Sequence, residues 1–263
     1  MTSRSRLVLP TVSLCAVASV NVSATLDALQ RSRSAIDFGR VILFTNEKMT
    51  KNVMGIAIIP IEILNSSQEY SHFILSDLPR YIETDHVLII QWDGFVIEPN
   101  LWSDTFLDYD YIGAVWPQFA DGGTVGNGGF SLRSRRLLDA CRDPDFRVEH
   151  PEDTAICRKN RRLLEEKHGI RFAPPEVAKR FSYERQRSGG KTFGFHGIFN
   201  LLDAVGPKDF ADIYLKLDDR TSAVRDTWLL VRQCANAAQL IGYARALRIL
   251  VMLSMDRLRK TLR

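Results

Sequence analysis

Between Tyr81 and Leu132 the chain has neither lysine nor arginine. Those 52 residues hold eight carboxylates, ten aromatics and three of the four tryptophans. A soluble chain is ordinarily about 25% charged with both signs mixed, so a one-signed run of this length is not an ordinary solvated face. Carboxylates without basic neighbours can hold a hard divalent cation such as Mg2+ or Mn2+. Aromatic rings beside them offer flat apolar platforms with polar rims, which suit a sugar. A buried sheet with acidic turns has the same composition, and composition alone does not separate the two.

Cysteine is also scarce. Cys15, Cys141, Cys157 and Cys234 are scattered, with no C-x-x-C pair, which excludes zinc-finger spacing and reads as free thiols in a reducing compartment. No segment reaches the roughly 20 uncharged apolar residues that a membrane span needs. The first residues imitate a signal peptide, with Arg4 and Arg6 before an apolar run. Pro10 interrupts that run, however, and Thr11–Val20 alternates and β-branches like a first core strand. Repeats and low-complexity segments are absent. The net charge of +4 conceals a division: residues 220–263 hold nine Lys/Arg against two Asp, or +7, and residues 1–219 hold 26 basic against 29 acidic groups, or −3. A body without basic surplus argues against nucleic acid as its main ligand, because phosphate backbones need clustered positive charge.

Apolar patterning predicts strands at 11–20, 41–45, 57–64 and 86–91, with helices at 25–36 and 69–82 between them. Strands alternating with helices imply a mainly parallel α/β sheet, whose ligands sit beyond the carboxyl ends of its strands. Asp93 falls just past such an end. After it the pattern predicts a strand at 111–116, a glycine-rich turn at 122–129, a helix opened by FSLRS, a helix at 153–168, and strand-like pieces in IRFAPPE and KTFGFHG. Residues 1–219 then form one body. Residues 220–263 form a basic tail of one or two amphipathic helices, with apolar residues at 240, 244, 247, 251, 258 and 262. A basic amphipathic helix lies on an anionic membrane surface, or docks on the body or on a second subunit.

Four short pieces stand out: QWDGF (91–95), GNGGFSLRS (126–134), PEDTAICR (151–158) and FGFHG (193–197). In this order they resemble a nucleotide-sugar glycosyltransferase of the Rossmann-like GT-A fold, and most closely a family of bacterial glycosyltransferase-like domains that carries all four. The resemblance covers about residues 8–205 and excludes the tail.

Members of that fold usually place Asp-x-Asp at the end of the fourth strand. Here the triplet is Gln91-Trp92-Asp93, and only Asp93 keeps a carboxylate. The resemblance makes Asp93 and His196 the ligands of Mn2+ or Mg2+, with Trp92, Trp116, Asn127, Gly128 and Gly129 shaping the sugar site. It makes Asp153 the base for the acceptor hydroxyl and Glu152 a supporting ligand. Each assignment has a plainer alternative. W-D-G also reads as a turn, a lone histidine as a core residue, the glycines as a hairpin, and acids at a helix start as partners of its dipole. The function implied is transfer of a sugar from a nucleotide diphosphate donor to a hydroxyl of a glycan or lipid-linked acceptor, in polysaccharide assembly at the inner face of a bacterial membrane. The tail would supply the peripheral membrane contact or a homo-oligomer contact. A non-catalytic glycan- or nucleotide-binding module is the alternative that the degenerate triplet allows, followed by a metal-dependent phosphohydrolase.

Overall fold

The computed structural model describes residues 6–49, 52–185 and 190–261. Its strands are β1 (Leu7–Val17), β2 (Ile36–Thr45), β3 (Asn52–Val53), β4 (Ile56–Pro60), β5 (His86–Ile90), β6 (Tyr111–Ile112), β7 (Ala114–Val115), β8 (Val125–Gly126), β9 (Phe130–Ser134), β10 (Ser182–Tyr183) and β11 (Gly194–Phe195). One sheet has the order β3-β4-β2-β1-β5-β9-β6. In it β4, β2, β1 and β5 run parallel, while β3 and β9 run antiparallel to their neighbours. The fold is therefore α/β with a mostly parallel central sheet. The face carrying Cys15, Ile42, Phe44, Val87 and Ile89 packs under Phe73, Ile74, Leu78 and Leu138, so interior strands read as apolar runs rather than as alternation. Pro10 lies where the β1–β2 register shifts, between Leu9 and Ser13; a residue without an N–H cannot serve the ladder there.

Several expectations of local structure need correction. The strand expected at 111–116 breaks at Gly113 into β6 and β7, and β7 pairs with β8 outside the main sheet. A Cβ on Gly113 would come within 1.8 Å of the Gly126 carbonyl oxygen, so only glycine allows the two backbones to meet. FSLRS is strand β9 rather than the opening of a helix. It lies between β5 and β6, and the helix begins only at Arg135, where Ser134 Oγ accepts from Leu137 N at 3.0 Å. The helix expected at 153–168 is broken into Glu152–Thr154, a π-helical turn at Ala155–Lys159, and Arg161–His168. Asn160 causes the break: its Nδ2 donates to the carbonyls of Ala155 and Arg147, which competes with helix continuation. Of the late strand-like pieces, IRFAPPE keeps a single bridge at Phe172, and KTFGFHG keeps only β11.

The chain divides into two compact units, Met1–His196 and Gly197–Arg263, a division earlier than the 219/220 boundary expected from charge. In the second unit the helices Ile198–Val205, Pro207–Tyr214, Thr227–Asn236, Ala238–Ile241 and Tyr243–Thr261 bury Phe210, Tyr214, Leu230, Cys234, Ile249 and Leu253. Arg220 there pairs with Asp256 through two bonds of 2.7 and 3.3 Å. No described helix is long and apolar enough to cross a membrane.

Candidate active site

Sheet register brings the distant motifs together. Ile90 pairs with Phe130 across β5 and β9, and continuing that antiparallel register sets Gly129 beside Gln91. On the other side Val96 bridges Gly194 antiparallel, which sets Gly94 beside His196. Between these contacts Gln91 and Gly94 exchange backbone bonds of 3.2 and 3.1 Å, so Trp92 and Asp93 form the tip of a tight turn. The turn alternative for W-D-G is thus true of the backbone, and it aims the Asp93 carboxylate at His196. Absent Cβ atoms make the approach feasible: one on Gly129 would lie 2.0 Å from His196 Nε2, and one on Gly94 would lie 2.7 Å from His196 Cδ2.

His196 Nε2 faces Asp93 Oδ1 at 3.6 Å and Gln91 Oε1 at 3.2 Å, while Nδ1 faces Glu184 Oε1 at 3.2 Å. Burial disfavours the charged ring, but Asp93, Glu184 and Asp153 outweigh it and push the imidazolium up to about 9. Gln91 is fixed in turn, its Nε2 donating to Tyr70 Oη at 3.1 Å. Gln91 therefore presents an oxygen to His196 where a carboxylate is expected from the resemblance. Among the described residues no group of three or more His, Cys, Asp or Glu is placed to hold a metal ion. Mg2+ in nucleotide enzymes is held by one or two carboxylates, with water and substrate phosphates completing the shell, so Asp93 is the group that could hold such a cation, and His196, 3.6 Å away, could join it only after giving up a ring proton.

The glycine segment lies on the other flank. Asn127 has φ 78, and its Oδ1 accepts from Gly129 N at 2.9 Å. Its buried Nδ2 has no hydrogen-bond partner among the described residues, a donor that a ligand hydroxyl would satisfy. Gly128 N donates to Asp153 Oδ2 at 3.1 Å, and a Cβ on Gly128 would come 1.8 Å from Glu152 Oε1. Glu152 is buried against Arg133, Nη2 to Oε1 3.0 Å, and Arg133 is itself fully enclosed. Glu152 is committed to Arg133, whereas Asp153 accepts both from Thr154 N in the first turn of its own short helix, at 2.6 Å, and from Gly128 N in the glycine segment. Burial first, and the neighbouring Glu152 second, push the Asp153 carboxyl up to about 6 from 3.8. Two adjacent acids thus differ: Glu152 is locked to a cation, and Asp153 is poised near neutrality.

Trp92 is half-buried at the turn. Trp116 is placed differently from the expectation: its indole is 6% exposed, belongs to a core cluster with Tyr111 and Phe146, and reaches the site only through Gly126, whose Cβ would strike the ring at 2.2 Å. Half of the ten aromatics of the 81–132 stretch, Phe95, Phe106, Tyr111, Trp116 and Phe130, are likewise core, with the half-buried Trp102 packed edge-on against Phe106. Several of its carboxylates find cations beyond it, Glu98 with Lys191, Asp110 with Arg136 and Asp121 with Arg158. Tyr70, Arg133 and Glu184 also line this arrangement although no motif assigns them a role, and Gln91, which the sequence marks only as a missing carboxylate, joins them. Arg133 alone left a trace, as a charge at an inward position of the alternating FSLRS.

Residues 54–196, which carry all of these groups, match the model of a family described as protein of unknown function (DUF5672). The chain belongs to this family. No curated protein matches it. Among solved structures, the chain is similar to the apo-form glycosyltransferase GlyE of Streptococcus pneumoniae TIGR4, at 13% identity over 70% of this chain and 53% of that one, with a TM-score of 0.40. It therefore spans about half the length of GlyE. It is similar also to the mannosyltransferase PcManGT from Pyrobaculum calidifontis in complex with GDP-Man and Mn2+, at 11% identity over 94% and 75%, TM-score 0.42. A third is a glycosyltransferase involved in glycosylation of the major capsid of PBCV-1, at 9% identity over 70% and 91%, TM-score 0.42. Likeness at this level says nothing of donor or acceptor.

Proposed function

We propose that this chain is a GT-A-type glycosyltransferase that moves a sugar from a nucleotide diphosphate donor to a hydroxyl of a glycan or lipid-linked acceptor. The observation that carries the reading is the meeting of four distant motifs at Gly128–Gly129, with Asp93 and His196 on one side and Glu152 and Asp153 on the other. Asp153 takes the proton of the acceptor hydroxyl as its oxygen bonds to the anomeric carbon and the nucleoside diphosphate departs. Glu152, held by Arg133, orients the loop that carries Gly128, and Asn127 Nδ2 donates to the sugar. Asp93 and His196 are the groups that would hold Mg2+ or Mn2+, which supplies charge neutralisation to the leaving diphosphate.

A nucleoside diphosphate with Mn2+ or Mg2+ should stabilise the protein, and neither component alone should do so fully. Saturation at 100 times the dissociation constant is worth about 2.7 kcal/mol, so thermal melts across a nucleotide-sugar panel, followed by product analysis, find the donor. Equal stabilisation in chelator would remove Asp93 and His196 as metal ligands. Donor binding without any transferred product would leave a non-catalytic nucleotide-binding module.

The elevated Asp153 carboxyl fixes a pH dependence. Only the ionised form is a base, so kcat should fall as pH drops through about 6. The same shift acts oppositely on stability. Protonation is easier in the folded than in the unfolded chain, so this group's stabilising contribution is full below 3.8 and is lost as pH rises through about 6. A rate profile flat from pH 5 to 8, in buffers where the fold is intact, would assign the base elsewhere.

A further inference from the structure

The last helix, Tyr243–Thr261, buries only one face. Ala246, Ile249 and Leu253 lie inside the second unit, and Asp256 pairs there with Arg220. The opposite face is also apolar. Tyr243, Leu247, Val251, Met255 and Leu258 follow one another at intervals of four and three residues, so they line one stripe. Each is between 47% and 72% exposed. Single apolar residues on a surface are normal, but a continuous stripe marks an interaction site.

Charge selects the partner. From Ala238 onward the chain has six basic residues and one acid, Asp256, and that acid is turned to Arg220. Arg248 and Arg259 are exposed beside the stripe, Arg259 also lying 4.0 Å from Asp256, and Lys260 follows. On the other flank Arg257 lies 5.1 Å over the ring of Trp228, itself 69% exposed. Two copies of this helix laid stripe to stripe would bring arginines together with no carboxylate to meet them. An anionic lipid surface matches both halves, since the acyl boundary accepts the stripe and the head groups accept the guanidinium groups. We propose that Tyr243–Thr261 lies in the interface of an anionic membrane, with Leu247, Val251, Met255 and Leu258 inserted, Trp228 at the head-group level, and Arg248 and Arg259 on the lipid phosphates. The contact is peripheral, because the helix is not a span.

Co-sedimentation of the full chain with vesicles tests this. Binding is expected to vesicles of phosphatidylcholine mixed with phosphatidylglycerol, not to phosphatidylcholine alone. It should weaken with salt as the Debye length falls from about 30 Å at 0.01 M to about 8 Å at 0.15 M. Leu247→Glu combined with Val251→Glu should abolish sedimentation without lowering the Tm, since both side chains are exposed. Arg248→Glu should reduce it and flatten the salt dependence of what remains, because one fewer cation then meets the head groups. Intact protein left in the supernatant with both compositions would overturn the proposal. So would retention by the double variant, or a dimer in light scattering that the double variant dissolves while vesicles are ignored, which would make the occupant a second copy.

Discussion

Asp153→Asn is expected to leave fold and donor affinity unchanged and to lower glycosyl transfer by about 10²–10⁴-fold, the range for a removed general base. The amide keeps an oxygen that can accept from Gly128 N or Thr154 N, the bonds that now reach the carboxylate at 3.1 and 2.6 Å. What it loses is the basic site. Because burial opposes the ionised form of Asp153, the neutral amide should hold or raise the Tm above pH 6. A lower Tm at undiminished turnover would make Asp153 a structural group that ties the glycine loop to its helix. Glu152→Gln, measured alongside, should affect turnover less and stability more, since its carboxylate is the one paired with Arg133. Single-turnover rates at saturating donor separate chemistry from binding in both variants.

How far the site was legible in the sequence follows from which interactions are local. Asp93 could be placed because an apolar strand ends just before it, and periodicity marks strand ends. Asp153 and His196 were reached through their motifs, and their meeting depends on pairings between residues that lie tens of positions apart: β5 with β9, and Val96 with Gly194. Arg133 was hidden because FSLRS was assigned to a helix, although Phe130 and Leu132 alternate with Ser131 and Arg133 in the period of two that marks a strand. Gln91 was read as a missing carboxylate; its contacts with Tyr70 and His196 come from segments 21 and 105 residues away. The one-signed stretch at 81–132 is a real anomaly, and three of its eight carboxylates, Glu98, Asp110 and Asp121, take their Lys or Arg partners from outside it. Burial takes half of its aromatics into the core, and Asp93 is the acid of the stretch that reaches the proposed site.

The Arg133–Glu152 pair is where stability and chemistry meet, and Arg133→Met is expected to cost about 3–5 kcal/mol, the penalty for leaving one partner of a buried ion pair uncompensated. Arg133 is fully buried on β9, donates through Nη2 to Glu152 Oε1 at 3.0 Å and through Nε to Ser131 Oγ at 3.1 Å, and lies 5.4 Å over the Tyr111 ring. Methionine fills much of the volume but none of the charge. Adding Glu152→Gln should recover most of the loss, because the uncompensated carboxylate is then gone, and the recovery measures the coupling between the two residues. Urea melts of wild type, both single variants and the double variant give the cycle. The Arg133 charge also draws the Asp153 carboxyl down, against its burial and Glu152. Its removal should therefore move the acid limb of the rate profile to higher pH, and Arg133→Met with Glu152→Gln should move it back, since Glu152 pushes Asp153 up. A loss of less than about 1 kcal/mol in Arg133→Met would mean that the Glu152 side chain does not depend on its partner, and the division of labour between Glu152 and Asp153 would then fail with it.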